Sequence, residues 1–427
     1  MENSKTTKES IKKNIYANVQ KYFENISLEE LKPSKWKVPI GGGFYDHNEV
    51  NSVIECYLNG SLSIQKPVAK FEENFSSYIG CEYGIATNSG TSANILALNA
   101  LIESGELVPG DKVAIPATTF ISVVTPILQL GLVPVYVDIK EDLNMDMEEL
   151  QRVLLFEDNI KCVMVVHTLG FPADVETLLK LSKTYSFKII EDCCESHGAA
   201  INGKKIGSYG DISTWSFYVA HHMTTAEGGM ALTNSERYKT ILSELREFGR
   251  LKSYEGERFG YTKDNLVDFD ERYVFHRIGW NFRMADAPAS FGIEQLKKLD
   301  KMNTTRKSNA KFLIDNLKKH KDLILPDYSS DEHEITYYSF PITIKQGSRI
   351  NRKSFVQHLE SNGIETRAIM CGTLPDQPSL KNSVHIIAGD LKISRHVRDN
   401  AFFIGCHPML KQEDLQHAVD IIDEYLK

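Results

Sequence analysis

The amino-acid sequence predicts an α/β fold, in which helices flank a mostly parallel seven-stranded sheet and a smaller α+β domain follows at the C-terminus. The first observation is an alternation of short apolar runs with helix-length segments, which is typical of parallel sheets covered on both faces. The second is the lack of any internal repeat or low-complexity segment. The third is a change of pattern near Tyr337, after which the strand-like runs YYSFPITI and GIETR alternate with helical segments near 352–361 and 412–426.

The predicted strands are short apolar runs that all lie between Tyr83 and Thr233. They are YGIAT (83–87), KVAIP (112–116), VPVYVDI (133–139), CVMVVHT (162–168), FKIIED (187–192), ISTWSFY (212–218) and GMALT (229–233). Ligands of parallel sheets bind at the carboxyl ends of the strands. The residues that follow these runs are therefore the first candidates for a functional site.

The same patterns predict the domain organisation. Residues 1–35 are predicted to form a polar, helical lead-in, residues 36–300 a large ligand-binding domain, and residues 301–427 the small α+β domain. A long helical pattern over 285–320 crosses the last boundary.

Composition excludes several classes of protein. The chain is 42% apolar and 25% charged, and its net charge of −8 without a long basic run argues against a nucleic-acid partner. The polar N-terminus lacks the apolar stretch of a secretory signal, and no run approaches the roughly 20 apolar residues of a membrane span. We therefore expect a cytoplasmic protein without a membrane partner. The seven cysteines, with no C-x-x-C pair, predict reduced and mostly buried thiols.

The first candidate motif is NSGTSA (88–93), which follows a predicted strand and opens a predicted helix. Gly90 permits tight backbone geometry, and the hydroxyl groups and free N–H groups of Ser89 and Thr91 suit a phosphate. Taken alone, this pattern is more often an ordinary helix N-cap.

The second candidate motif is Glu191-Asp192, at the end of the strand-like run FKII. A carboxylate at that place can hold a protonated ring nitrogen, although an aspartate that caps the next segment is the commoner explanation. The third is SFYVAHHMTTAEGG (216–229), with two adjacent histidines, His221 and His222. Adjacent histidines do not easily point at one metal ion and no helical i, i+4 partner is present, so we expect no zinc site.

In this order, the motifs resemble the DegT/DnrJ/EryC1/StrS sugar aminotransferases, a pyridoxal-phosphate family of fold type I. The resemblance covers the chain from about residue 38 to its end and includes the later G-[YW]-N-x-R motif, GWNFR (279–283). In the family, the fifth residue after the serine of S-F is a lysine that binds the coenzyme covalently. That position is His221 here, and the segment 206–234 contains no lysine.

Carried over by matching position, the resemblance implies a role for several side chains in the large domain. Gly90, Thr91 and Ser216, together with Ser89, would hold the coenzyme phosphate, and Asn281 would reach it from the neighbouring subunit of a homodimer with a shared active site. The further contacts implied are Phe120 stacking on the pyridine ring, Asp192 at the ring nitrogen, and Glu195 where aminotransferases have a glutamine near the ring hydroxyl. Pro288 replaces a common glutamine, which departs from the family pattern.

Further segments resemble the 3-dehydratase branch of the family, namely HTLG (167–170), YVFHRIGWNFR (273–283), the GIETR run with the following CGTLPDQP, and FFIGCHP (402–408). One type in this branch holds a [2Fe–2S] cluster on cysteines in the region that corresponds to 250–270. Residues 195–370 contain no cysteine, so four thiolate ligands are not available there and no iron–sulfur cluster is expected.

The resemblance therefore implies a pyridoxamine 5′-phosphate or pyridoxal 5′-phosphate enzyme that removes the C3 hydroxyl of a GDP- or CDP-linked 4-keto-6-deoxyhexose. Histidine cannot hold the coenzyme covalently, so His221, with a near-neutral pKa, is expected to act as a general base. L-Glutamate is expected to restore the amine form. The alternatives are a dehydratase that works with an external reductase, a non-catalytic B6-binding homologue, and a true aminotransferase.

Overall fold

The computed structural model describes residues 2–26, 30, 35–251, 270–326 and 333–427. The helices up to residue 251 are α1 (Glu2–Asn25), α2 (His47–Leu58), α3 (Lys66–Ile79), α4 (Gly90–Glu103), α5 (Ile121–Gln129), α6 (Met147–Phe156), α7 (Val175–Tyr185) and α8 (Glu236–Arg246). Those that follow are α9 (Asp286–Leu296), α10 (Leu299–Leu317), α11 (Arg352–Ser361), α12 (Lys392–Asn400) and α13 (Gln412–Tyr425).

The strands fall into three sheets. The large sheet has the order β1-β9-β8-β5-β4-β2-β3-β14. Its strands are β1 (Tyr83–Thr87), β2 (Lys112–Pro116), β3 (Val133–Val137), β4 (Ile160–Val166), β5 (Lys188–Asp192), β8 (Ile212–Ser216), β9 (Gly229–Thr233) and β14 (Ile386–Ile387). Only β9 runs antiparallel to its neighbours in this sheet. The mostly parallel sheet is thus confirmed, and the two-residue β14 is added at its edge to the seven predicted strands.

Both faces of the large sheet are buried, as expected for parallel strands between helices. Along β3, Val135 and Val137 face one apolar core with the inner side of α6 and α7, whereas Tyr136 faces a second core with α4 and α5. This alternation follows from the two-residue period of a strand. The strands have no solvent-facing side, which explains their nearly continuous apolar sequences.

The small C-terminal region contains an antiparallel sheet of order β10-β12-β15-β13. Its strands are β10 (Leu323–Ile324), β12 (Phe340–Ile344), β13 (Thr366–Ala368) and β15 (Ala401–Ile404). A third sheet pairs β11 (His333–Glu334) with β6 (Ala200–Ile201) and β7 (Lys204–Lys205). Val38 and Ile40 pack into the core of the small region, and β14 joins the large sheet, so contacts cross the division proposed at residue 300.

Several predicted elements differ from the structure at their ends. The helical pattern over 285–320 is two helices, α9 and α10, separated by a short break after Leu296. Residues 252–269 lie outside the described residues. All seven cysteines are unpaired, and five of them are buried. Among the described residues, no helix is long and apolar enough to cross a membrane, and the cytoplasmic location stays a prediction.

Candidate active site

A cavity of about 460 Å³ lies at the carboxyl ends of the parallel strands. The segments that follow β1, β2, β5 and β8 form its floor, and residues of the small region close its other side. Its lining residues are Ser89, Gly90, Thr91, Thr119, Phe120, Ser122, Val123, Val166, Asp192, Cys194, Glu195, Ser216, Tyr218, His221, Glu227, Tyr338, Arg367, Ala368, Met370 and Phe403. Eight of the nine predicted site residues are in this set, and Asn281 is not.

The start of α4 forms a cradle for an anion at one end of the cavity. Ser89 is the N-cap, and its Oγ accepts the N–H of Ser92 at 3.1 Å. Gly90 lies against β8, where an added Cβ would stand 2.6 Å from the Cβ of Ser216. Glycine is therefore required for this close approach. The first-turn N–H groups have no partner within the helix, which suits a phosphate group.

The two acidic residues at the end of β5 have different environments. Glu191 is fully buried and accepts the N–H groups of Gly207, Tyr209 and Gly210 while pairing with His167 at 3.2 Å. These hydrogen bonds hold its pKa below the ordinary value despite burial. Asp192 instead faces the cavity, so the structure separates a carboxylate that organises loops from one that faces a ligand.

Glu195 is the second carboxyl group of the cavity. Its Oε2 accepts the N–H of Leu169 at 2.9 Å. Burial, reinforced by the negative charge of Asp192, raises the pKa of Glu195 to about 8, against the opposite effect of the Leu169 hydrogen bond. At neutral pH Glu195 is therefore largely protonated in the coenzyme-free protein, so its carboxyl group can donate a hydrogen bond to a ligand.

His221 lines the cavity beyond the end of β8. Its ring contacts the ring of Tyr338, and its Nδ1 is buried with no hydrogen-bond partner among the described residues. Burial, together with the positive charge of Arg306, lowers the pKa of His221 to about 3. The near-neutral pKa expected from the sequence is thus wrong for the ligand-free protein, in which the imidazole is neutral over the physiological range.

His222 points away from the cavity and joins a buried cluster of polar groups. Its Nε2 lies 3.2 Å from the carbonyl oxygen of Thr336, so it carries the proton, and its Nδ1 lies 3.4 Å from Nδ1 of His197. The Arg306 guanidinium donates to the carbonyl oxygens of Tyr337 and Tyr338. These contacts hold the segment before β12 against the site, and the sequence pattern did not reveal them.

Phe120 and Asn281 are both exposed. Phe120 is the N-cap residue of α5 and remains 54% exposed at the cavity. Asn281 accepts a hydrogen bond from Nε of Arg283 on the surface, beside the segment in which Phe282 accepts the N–H of Asn88. The exposed ring of Phe120 is accessible to a ligand in the cavity. The exposed Asn281, outside the cavity, is accessible to a second subunit.

Sequence reasoning overlooked four residues of this region. Tyr338 and Arg367 line the cavity from the small region, and Arg306 and Asn94 lie buried behind it. Arg367 lies in the GIETR run and Tyr338 in the YYSFPITI run, but both runs were predicted as strands and gave no sign of a site. A signal for the others would have required knowledge of which strands and helices meet.

Comparisons with known proteins identify the family to which the chain belongs. The sequence pattern of the DegT/DnrJ/EryC1/StrS aminotransferase family matches residues 45–423. The lipopolysaccharide biosynthesis protein RfbH of Salmonella typhimurium is 31% identical over 430 residues, which cover 96% of this chain and 98% of that protein. The GDP-4-keto-6-deoxy-D-mannose 3-dehydratase of Yersinia pseudotuberculosis is 29% identical over 388 residues, covering 90% and 98%. A crystal structure of GDP-4-keto-6-deoxymannose-3-dehydratase with a trapped PLP–glutamate geminal diamine matches with a TM-score of 0.84 at 28% identity, covering 90% and 100%.

Proposed function

Because the chain belongs to the DegT/DnrJ/EryC1/StrS aminotransferase family, we propose that it is a B6-dependent 3-dehydratase of a nucleotide-linked 4-keto-6-deoxyhexose. The observation that carries this proposal is the position of His221 in the cavity. By the resemblance of its sequence segment, His221 stands where the family has its coenzyme-binding lysine, and none of the described residues that line the cavity is a lysine. An imidazole there can move a proton but cannot tether the coenzyme.

The described residues fit pyridoxamine 5′-phosphate. The cradle of Ser89, Gly90, Thr91 and Ser216 would hold the phosphate, because it combines hydroxyl groups with the free N–H groups of a first helical turn. Asp192 would pair with the ring nitrogen. Phe120 would stack on the ring, and the protonated Glu195 would donate to a ring substituent. The bound coenzyme supplies an electron sink that allows a C–H bond beside its amino group to break.

His221 is the proposed general base. Its ring is neutral above about pH 3, so one ring nitrogen has a free lone pair. His221, the one histidine among the described lining residues, would accept the proton from the carbon beside the coenzyme nitrogen. Loss of the C3 hydroxyl as water then requires a proton from His221 or Glu195. Positioned acid–base groups of this kind typically accelerate a reaction by about 10²–10⁴-fold.

The overall reaction balances without an external reductant if glutamate is the amino donor. The sugar loses one oxygen and is reduced by two electrons, while glutamate is oxidised to 2-oxoglutarate and releases ammonia. Arg367 is the only cationic side chain among the described lining residues; its side chain is 59% exposed, and its guanidinium pairs with Glu365 at 2.7 Å. We expect it to contact an anionic group of the substrate or of glutamate.

A homodimer with a shared active site belongs to the same proposal. Asn281 is exposed and lies outside the cavity of its own chain, and the nearby Tyr273, Phe275 and Ile278 are exposed as well. Exposed apolar side chains close together are typical of an interface. In a dimer, Asn281 would complete the phosphate site of the other subunit.

The direct test is incubation of the purified protein with pyridoxamine phosphate, glutamate and a panel of GDP- and CDP-linked 4-keto-6-deoxyhexoses. We expect a product lighter by one oxygen, with 2-oxoglutarate and ammonia formed in equal amounts. A 4-amino sugar would instead identify an aminotransferase. A product that forms only after a reductase is added would support the reductase-coupled alternative, and iron analysis would then be decisive.

A second test addresses the coenzyme link. Borohydride reduction of the protein loaded with pyridoxal phosphate should leave the protein mass unchanged, because no lysine lines the described part of the cavity. The H221K variant is the matched control and should gain the coenzyme mass. A covalent adduct on the unchanged protein would contradict the proposal.

A further inference from the structure

A buried amide on α4 connects three parts of the cavity. Asn94 is fully buried, one turn after the Ser89–Thr91 cradle. Its Nδ2 donates to Oδ2 of Asp192 at 3.0 Å and to the carbonyl oxygen of Ser122 at 3.2 Å. Ser122 lies in the first turn of α5, two residues after Phe120. The Asn94 side chain therefore connects the helix that begins at the phosphate cradle, the carboxylate of Asp192 and the first helical turn after Phe120.

The orientation of this amide is determined by its neighbours. Both neighbours, a carboxylate and a carbonyl oxygen, are acceptors, so a flipped amide would place its own oxygen against them. In the observed orientation the Oδ1 atom is buried without a hydrogen-bond partner among the described residues. A buried acceptor without a partner costs free energy. Despite this cost, the amide keeps the orientation in which its Nδ2 donates to both Asp192 and Ser122.

Asp192 is held from two sides. Its Oδ1 accepts the N–H of Cys194 at 3.1 Å, and its Oδ2 accepts Asn94. Two donors on different oxygens fix the rotation of a carboxylate, which keeps a lone pair directed at the cavity. The Cys194 N–H belongs to the adjacent backbone, whereas Asn94 restrains Oδ2 of Asp192 from another helix, 98 residues away in the chain.

We propose that Asn94 is a positioning residue that aligns the carboxylate of Asp192 with the ring nitrogen of the coenzyme and holds Phe120 in register with it. This inference rests on the proposed coenzyme but not on the proposed reaction. A residue that only stabilised the helix would affect coenzyme binding whether or not the ring nitrogen is present. Asn94 should instead affect the part of the binding free energy that depends on the ring nitrogen.

The test is a binding cycle with two ligands, pyridoxamine phosphate and its 1-deaza analogue, in which C–H replaces the ring nitrogen. Dissociation constants are measured by fluorescence for the wild type and for N94L, which keeps the shape of the side chain but donates no hydrogen bond. We expect the wild type to favour pyridoxamine phosphate, and this preference to fall about tenfold in N94L while the affinity for the analogue changes little.

Two further variants serve as a control and as a replacement for N94L. N99L changes another buried asparagine of α4, with no described contact to Asp192, and should leave the ligand preference unchanged. N94S keeps a donor in a smaller side chain and replaces N94L if that protein does not fold. It should retain part of the preference. An equal loss of both affinities in N94L, or an unchanged preference, would overturn the role of Asn94. If the wild type shows no preference for pyridoxamine phosphate over the analogue, the proposed pairing of Asp192 with the ring nitrogen is contradicted, and the role of Asn94 is contradicted with it.

Discussion

The imidazole ring of His221 lies against the phenol ring of Tyr338, with 5.5 Å between the ring centroids and 48° between the ring planes. His221 follows the last parallel strand of the large sheet, and Tyr338 precedes the first long strand of the small one. The backbone of Tyr338 is fixed independently of this contact, because its N–H donates to Leu169 and its carbonyl oxygen accepts Arg306. The small region thus supplies the surface that shields His221 from water.

Removing that ring should restore an ordinary basicity to His221. In Y338A, water reaches the imidazole, and the desolvation that lowers the pKa of His221 to about 3 is relieved, so its pKa should rise towards about 6.5. Histidine NMR titration of the coenzyme-free protein measures this change. Y338F keeps the ring and is the control, and an equal shift in both variants would show that the ring does not shield His221.

Glu195 should make the stability of the coenzyme-free protein depend on pH. Its pKa is near 4.5 when unfolded and about 8 when folded, so the native state binds more protons between these values and stability falls as pH rises through this window. The expected slope is at most about 1.4 kcal/mol per pH unit. Denaturant unfolding of wild type and E195Q at about pH 5, 6 and 7 measures it. Parallel curves for the two proteins would contradict the raised pKa.

Arg306 should contribute to both stability and electrostatics. It is 2% exposed and donates to the carbonyl oxygens of Tyr337 and Tyr338. R306M removes this donor from both, leaving the Cys406 thiol as the described donor to Tyr337, and should lose roughly 2–4 kcal/mol of unfolding free energy. Loss of its charge should also raise the pKa values of His221, His197 and His222, which Arg306 helps to depress. R306K retains the charge. If R306K and R306M shift the histidine titrations equally, the charge of Arg306 is not their cause.

The shared active site predicts complementation between two inactive variants. N281A would lack the phosphate contact that it donates to its partner, and H221N would lack the base. Mixed subunits unfolded and refolded together should recover about one quarter of wild-type activity, because half of the dimers are hybrids and each hybrid has one intact site. Each variant refolded alone is the control. No recovery in hybrids of confirmed composition would place Asn281 in the site of its own chain or outside any site.

The sequence predicted the large sheet well because its strands are largely buried on both faces and each has an apolar centre. Strand β14 was missed because two residues carry no periodicity, and it exists only because β3 offers an edge. The break between α9 and α10 was missed because the residues on both sides of it have helical composition, so the local sequence does not mark where one helix ends and the next begins.

The site likewise contains residues that the local sequence identifies and residues that only the tertiary structure identifies. Gly90, Asp192 and His221 follow strands and could be identified from their place in the chain. Asn94 bonds with Asp192 over 98 residues, and His222 bonds with Thr336 over 114 residues. Neither pairing has a local signal. The pKa of His221 likewise depends on burial and on Arg306, so its residue type alone gave the wrong expectation.

The account depends most on His221 as the group that removes a proton during elimination. The decisive measurement is loss of deuterium from pyridoxamine phosphate labelled at the carbon beside its amino group, followed in a single turnover after a 4-keto nucleotide sugar is added. The wild type should release the label, and H221N should do so about 10²–10⁴-fold more slowly while binding pyridoxamine phosphate with similar affinity. Release at the wild-type rate in H221N would show that another group is the base and would contradict the proposed role of His221.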